Sequence, residues 1–142
     1  MQQPVEVLDE DLNGLPLYTL YSKNTIIWYA FLFSPFVGGL LMAINLFRVK
    51  KQGIALLAIL AALVYTLATY FLATIIIYKA SGRLLVLLLN LVGGNLITGP
   101  LWRLTIGTLP YNKANGWLPL VFVLLVYGGV TALALYFLGI TF

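Results

Sequence analysis

The sequence predicts an all-α integral membrane protein, with four transmembrane helices forming two tandem helical hairpins behind a short acidic N-terminal arm. Composition is the first reason. Of the 142 residues, 62% are hydrophobic and only 8% charged, and the mean hydropathy is +1.02. Soluble domains are usually about a quarter charged, and a chain this short leaves too much surface exposed to hide so many apolar side chains from water. The second reason is length. Four apolar runs, residues 25–47, 53–78, 84–102 and 117–139, hold no charged residue, and each approaches the roughly 20 residues that cross a hydrocarbon core of ~30 Å. The third is continuity. The runs do not alternate, so they are helices rather than barrel strands.

Residues 1–24 form the arm. All four acids, Glu6, Asp9, Glu10 and Asp11, lie there with Pro4, Asn13-Gly14 and Pro16. It turns interfacial at Leu17-Tyr18-Thr19-Leu20-Tyr21, where tyrosines suit the headgroup layer. No basic stretch precedes a short apolar core, so a cleaved signal peptide is not expected. Residues 25–142 form the bundle. Its connections at 48–52 and 79–83 are tight, which makes their flanking helices antiparallel neighbours. The connection at 103–116 is longer and carries Gly107, Pro110, Asn112, Asn115 and Gly116, all turn formers.

The eight bases lie between the runs or at their ends. Four crossings place Arg48, Lys50, Lys51, Arg103 and Lys113 on one side. Lys23, Lys79 and Arg83 then share the other side with both termini. An excess of bases marks the cytoplasmic side, so loops 48–52 and 103–116 are expected there. The bases form no dense stripe, and a nucleic-acid partner is not expected.

The first and third runs repeat each other. Residues 36–48, from Phe36 to Arg48, align without gaps on residues 91–103, from Leu91 to Arg103. The alignment matches Gly38-Gly39 with Gly93-Gly94 and one closing arginine with the other. The expected repeats are residues 25–78 and 84–139, oriented alike about an axis along the membrane normal. Helices in lipid associate through close backbone approach. Gly38, Gly39 and Ala43 on the first run, and Gly93, Gly94 and Thr98 on the third, are therefore the helix-packing residues, and their faces are expected to cross at the centre. Ala55, Ala58, Ala62, Thr66 and Thr69 make a further stripe, and Gly128 and Ala132 another.

Pro35 in the first run, and Gly99-Pro100 in the third, loosen helical backbone. Ser34, Asn45, Asn90 and Asn95 lie near these points. One reading is a broken third helix with these side chains lining a small polar cavity. The other is kinks joined by interhelical hydrogen bonds worth roughly 1 kcal/mol each. Catalytic chemistry is not expected. No acid lies within a run, and the chain has no cysteine or histidine, so no proton relay, metal cluster, cofactor or nucleophilic set is implied.

Tyr21-Ser22, Ser34-Pro35-Phe36-Val37-Gly38-Gly39 and Ala43-Ile44-Asn45 resemble a group of small bacterial multi-pass membrane proteins with no assigned activity. The resemblance covers mainly residues 20–51 and implies a bacterial inner-membrane setting. The functional expectation is a structural or assembly protein in the lipid bilayer, a homo-oligomer or a chain that docks a membrane partner. The alternatives are a passive channel or facilitator for a small ion or polar solute, lined by the Gly-Gly elements and the asparagines, and a triggered membrane-perturbing effector.

Overall fold

The computed structural model describes residues 18–76 and 82–137. In chain order the elements are β1 (Tyr18–Leu20), α1 (Lys23–Leu32), α2 (Pro35–Arg48), α3 (Gln52–Ile76), α4 (Gly82–Thr105), β2 (Tyr111–Lys113) and α5 (Trp117–Phe137). Three of them, α3, α4 and α5, are long and apolar enough to cross a membrane. The acidic residues of the arm, Lys79 and the last residues of the second and fourth apolar runs lie outside the described residues.

The main departure from expectation is in residues 25–47, which make two helices instead of one crossing. α1 closes at Phe33, Ser34 is extended with φ −171° and ψ 158°, and α2 begins at Pro35. Proline lacks an N–H and pushes the residue before it out of the helical region. Ser34 then serves as cap for the new helix, its Oγ accepting from the Val37 N–H at 3.3 Å, and proline suits the first helical position. The chain doubles back after this turn. Gly38 packs on Ala30, and Asn45 meets Tyr21 near the start of α1. At 10 and 14 residues the two helices reach about 15 and 21 Å, too short for a core of ~30 Å.

Of the two readings of the third run, a break at its own proline is not seen. α4 runs on from Gly82 to Thr105 through Pro100. Part of the proline's clash falls on the Cβ of the residue before it, and Gly99 has none. Ser34 has a Cβ, and it has a hydroxyl that can cap a new start.

The four inner helices form a ring in which α1 touches α2 and α4, α3 touches the same two, and α2 meets α4 across the middle. Among the described residues α1 and α3 do not meet. α5 stands beside α1 and is attached through large side chains. The Tyr127 ring lies 5.9 Å from that of Phe33, and the Tyr29 hydroxyl donates to the Gly116 carbonyl. No residue of α5 is buried.

One end of the ring is stitched together by polar contacts. β1 pairs in parallel with β2, Tyr18 opposite Tyr111, and the Ala114 N–H donates to the Leu20 carbonyl at 2.8 Å. The end of the arm is therefore a strand where a loose segment was expected. The Arg48 guanidinium donates to the Thr19 carbonyl and sits 5.3 Å over the Tyr21 ring. Lys51 Nζ donates to the Thr105 carbonyl at 3.1 Å. Because the α1–α2 hairpin returns the chain to its starting end, Lys23 lies at the same end as Arg48, Lys50 and Lys51, not opposite them.

This geometry is open to a labelling test in a chain that has no cysteine of its own. Single Lys23→Cys and Lys50→Cys variants should react with an impermeant thiol reagent from the same side of a sealed vesicle. Labelling from opposite sides would restore a single crossing through residues 25–47.

Candidate functional site

The paired glycines are contact points with no spare room. A Cβ on Gly38 would lie 2.6 Å from the Ala30 Cβ, and one on Gly94 would lie 2.5 Å from the same atom. Ala30 of α1 is thus wedged between α2 and α4. Gly39 meets Ala62 of α3, and Gly93 lies under the ring of Tyr65, whose hydroxyl donates to the Leu89 carbonyl at 2.9 Å. The two Gly-Gly faces were expected to cross each other directly, but α1 and α3 fill the positions on either side of them. Ala43 and Thr98, one turn beyond, are buried. The α3 stripe of Ala55, Ala58 and Ala62 is fully buried as well.

Beyond the hairpin tip the packing opens into a cavity of about 650 Å³ between α3 and α4. Phe33, Tyr70, Ala73 and Val86 give it apolar walls, and Ser34, Thr66, Thr69, Thr74 and Asn90 supply its polar groups. Asn90 and Thr69 are each only 7% exposed, and no hydrogen bond of either side chain is formed among the described residues. The Thr66 hydroxyl oxygen is buried and also unpartnered. Buried polar groups nearly always find partners, so such a cluster of orphans requires an explanation.

The four polar residues singled out in the sequence therefore separate. Ser34 and Asn90 line the cavity. Asn45 lies at the stitched end, fully buried, accepting from the Tyr21 N–H at 2.9 Å and donating to the Tyr21 carbonyl at 2.8 Å. Asn95 is exposed and donates to the Leu91 carbonyl one turn back on its own helix. Thr66 and Thr69 read in sequence as small packing residues, and only the position of the hairpin tip reveals them as polar lining. Ala30 was missed, although it is the one alanine in α1.

A second feature is the outer face of α5. Leu120 and Val123 pack on the core, and Tyr127 faces Phe33. At about 100° per residue, Val121, Leu125, Gly128, Gly129 and Ala132 fall on the far side. A Cβ at Gly128 or Gly129 would meet nothing within 4 Å.

No protein-family model matches the chain, and neither the curated proteins nor the solved structures include a match to it.

The two asparagines should respond oppositely to loss of the amide. Asn45→Leu orphans two backbone groups of Tyr21, at about 1–3 kcal/mol each, and should lower thermal stability sharply in detergent. Asn90→Leu removes an amide that has no partner, and the midpoint should hold or rise.

Proposed function

We propose that this chain is a small structural or assembly protein of a membrane, crossing it with α3, α4 and α5 and pairing with a second copy of itself through α5. The observation that carries this reading is the unfilled glycine face of that helix. Gly38, Gly39, Gly93 and Gly94 each admit a neighbouring helix or ring to a distance that no Cβ would allow. Gly128 and Gly129 have no such neighbour among the described residues. Glycine in a helix interior costs up to about 1 kcal/mol relative to alanine, and lipid chains do not require it. Gly128 and Ala132, flanked by Leu125 and Val121, make a small-xxx-small face of the kind that pairs helices in bilayers. Two copies inserted in the same sense bring that face to itself about a twofold axis along the membrane normal.

In this reading α1–α2 is a re-entrant hairpin that enters and leaves on the basic side. Lys23, Arg48, Lys50, Lys51, Arg103 and Lys113 then share one side with the arm. Lys79, between α3 and α4 in sequence, and Arg83, in the first turn of α4, are assigned to the other. Six bases against two make the first side cytoplasmic. Loops 48–52 and 103–116 keep the side expected of them, and the arm moves to join them. The repeat unit also shifts, to α1–α2 against α3–α4. The facilitator reading loses support, because the glycines expected to line a pore are filled by Ala30, Ala62 and Tyr65.

Detergent-solubilised protein should have twice the 15.7 kDa chain mass after correction for bound detergent. Gly128→Leu and Ala132→Leu should return it to a single chain with unchanged thermal stability. A wild-type monomer, or variants that still dimerise, would remove the reading.

A further inference from the structure

We infer that the cavity beyond the hairpin tip is a binding site for a neutral, lipid-soluble molecule that carries a hydroxyl or carbonyl oxygen, such as a long-chain alcohol or ketone. The inference rests on the membrane placement proposed above and is independent of pairing through α5. It begins with depth. Asn90 lies eight residues into α4 from Gly82, about 12 Å along the axis. Thr69 lies seven residues from the end of α3 at Ile76, a similar distance from the same side. In that placement Asn90 and Thr69 thus lie well inside the hydrocarbon, just past the point where α1 and α2 turn back.

Their chemistry selects the ligand. Asn90 offers both a donor and an acceptor, and the threonine hydroxyls can serve as either. Asn90 and Thr69 are more than nine-tenths buried and have no partner among the described residues. The turn at Ser34 adds helix ends whose last carbonyls and first N–H groups lack intrahelical partners. Non-helical backbone at this depth persists only where protein buries it or where it lines a polar cavity. These groups find no partner among the described residues, and the inferred ligand supplies one.

Three candidate occupants can be compared. An ion fits poorly, because among the described residues no charged side chain lines the cavity and an uncompensated charge at this depth is expensive. The acyl chain of an ordinary phospholipid would fit the walls, but it would set methylene groups against Asn90 and Thr69 and leave them orphaned. Water alone would satisfy the polar groups, but it would also have to wet Phe33, Ala73 and Val86. A molecule with an apolar body and one oxygen meets both demands. Its small polar group can be carried to mid-depth at modest cost, where the amide and hydroxyls bind it. The volume lies within the range of small-molecule pockets, about 300–1,000 Å³.

Photolabelling of the full chain in liposomes tests this. The probe is a long-chain alcohol with a mid-chain diazirine, compared with the matched diazirine alkane. The alcohol should label residues 66–74 and 86–90, and an excess of unlabelled alcohol should suppress the labelling while the unlabelled alkane does not. Asn90→Leu should lower labelling about fivefold, the equivalent of one net hydrogen bond. Ala73→Phe, which fills the cavity from its wall, should abolish labelling by both probes. Equal labelling and equal competition by alcohol and alkane would overturn the inference, since the cavity would then take only a lipid chain. Absence of labelling in both segments would overturn it too, as would full labelling of Asn90→Leu. Gly128→Leu should label like wild type, so a failure of α5 pairing and a failure of this site are separable.

Discussion

The close approach of three backbones around Ala30 is the constraint on which the rest of this structure depends. In the re-entrant placement proposed above, the α1–α2 hairpin gains little from apolar burial, because its alternative surroundings are equally apolar. It must be held by packing at short range. Gly38 lets α2 close against Ala30 from one side and Gly94 lets α4 close from the other, so α1 is gripped along its middle. A Cβ at Gly38 or Gly94 would lie too close to Ala30 for the helices to keep this separation. The tip would then lose the support of α3 and α4, and the cavity would lose its floor.

The stitched end provides the complementary restraint. Asn45 imitates a strand partner for Tyr21 by taking its N–H and giving to its carbonyl. This satisfies backbone groups just where the chain passes from β1 into α1. Arg48 and Lys51 then draw the loop after α2 onto β1 and onto the end of α4. Both contacts use bases that would serve as interfacial anchors in any case, so topology and stitching come from the same residues. The short parallel pairing of β1 with β2 sends α1 and α5 away from that end in the same direction, and α5 reaches its neighbours through Leu120, Val123 and Tyr127, with Tyr29 and Phe33 on the facing side.

Much of this was legible in the sequence, and what was not had a physical cause. Continuous apolar runs gave three long helices to within a few residues at their ends. The small residues of the first, second and third runs were recognisable because lipid offers few other reasons for them. Two prolines in similar runs, however, had opposite effects. The difference lay in the residue before each: Ser34 can cap a helix and resists the helical region ahead of proline, whereas Gly99 lacks the Cβ through which part of that resistance acts. Treating both alike, as points where a crossing helix kinks or breaks, hid the turn, and with it the side on which Lys23 lies. The β1–β2 pair was illegible for another reason, since three-residue strands 93 positions apart leave no periodicity to detect. The asparagines could not be sorted either, because their roles are set by depth and neighbours rather than by local sequence.

The alignment of residues 36–48 with 91–103 acquires a different meaning in this geometry. Both segments run toward the stitched end, and both spend their two glycines on α1 and α3, in opposite order. On α2 the first glycine meets α1 and the second meets α3; on α4 the first meets α3 and the second α1. That exchange is what a twofold axis between α2 and α4 would require, with α1 and α3 as the related partners. The two units then differ chiefly in length. α3 and the first third of α4 continue past the level at which α1 and α2 turn back. The space they enclose beyond the shorter hairpin is the cavity, and the orphaned groups of Thr69 and Asn90 face the volume that a full-length first hairpin would have occupied. On this reading the site is the consequence of one shortened repeat, and its polarity marks the boundary where protein gives way to a ligand.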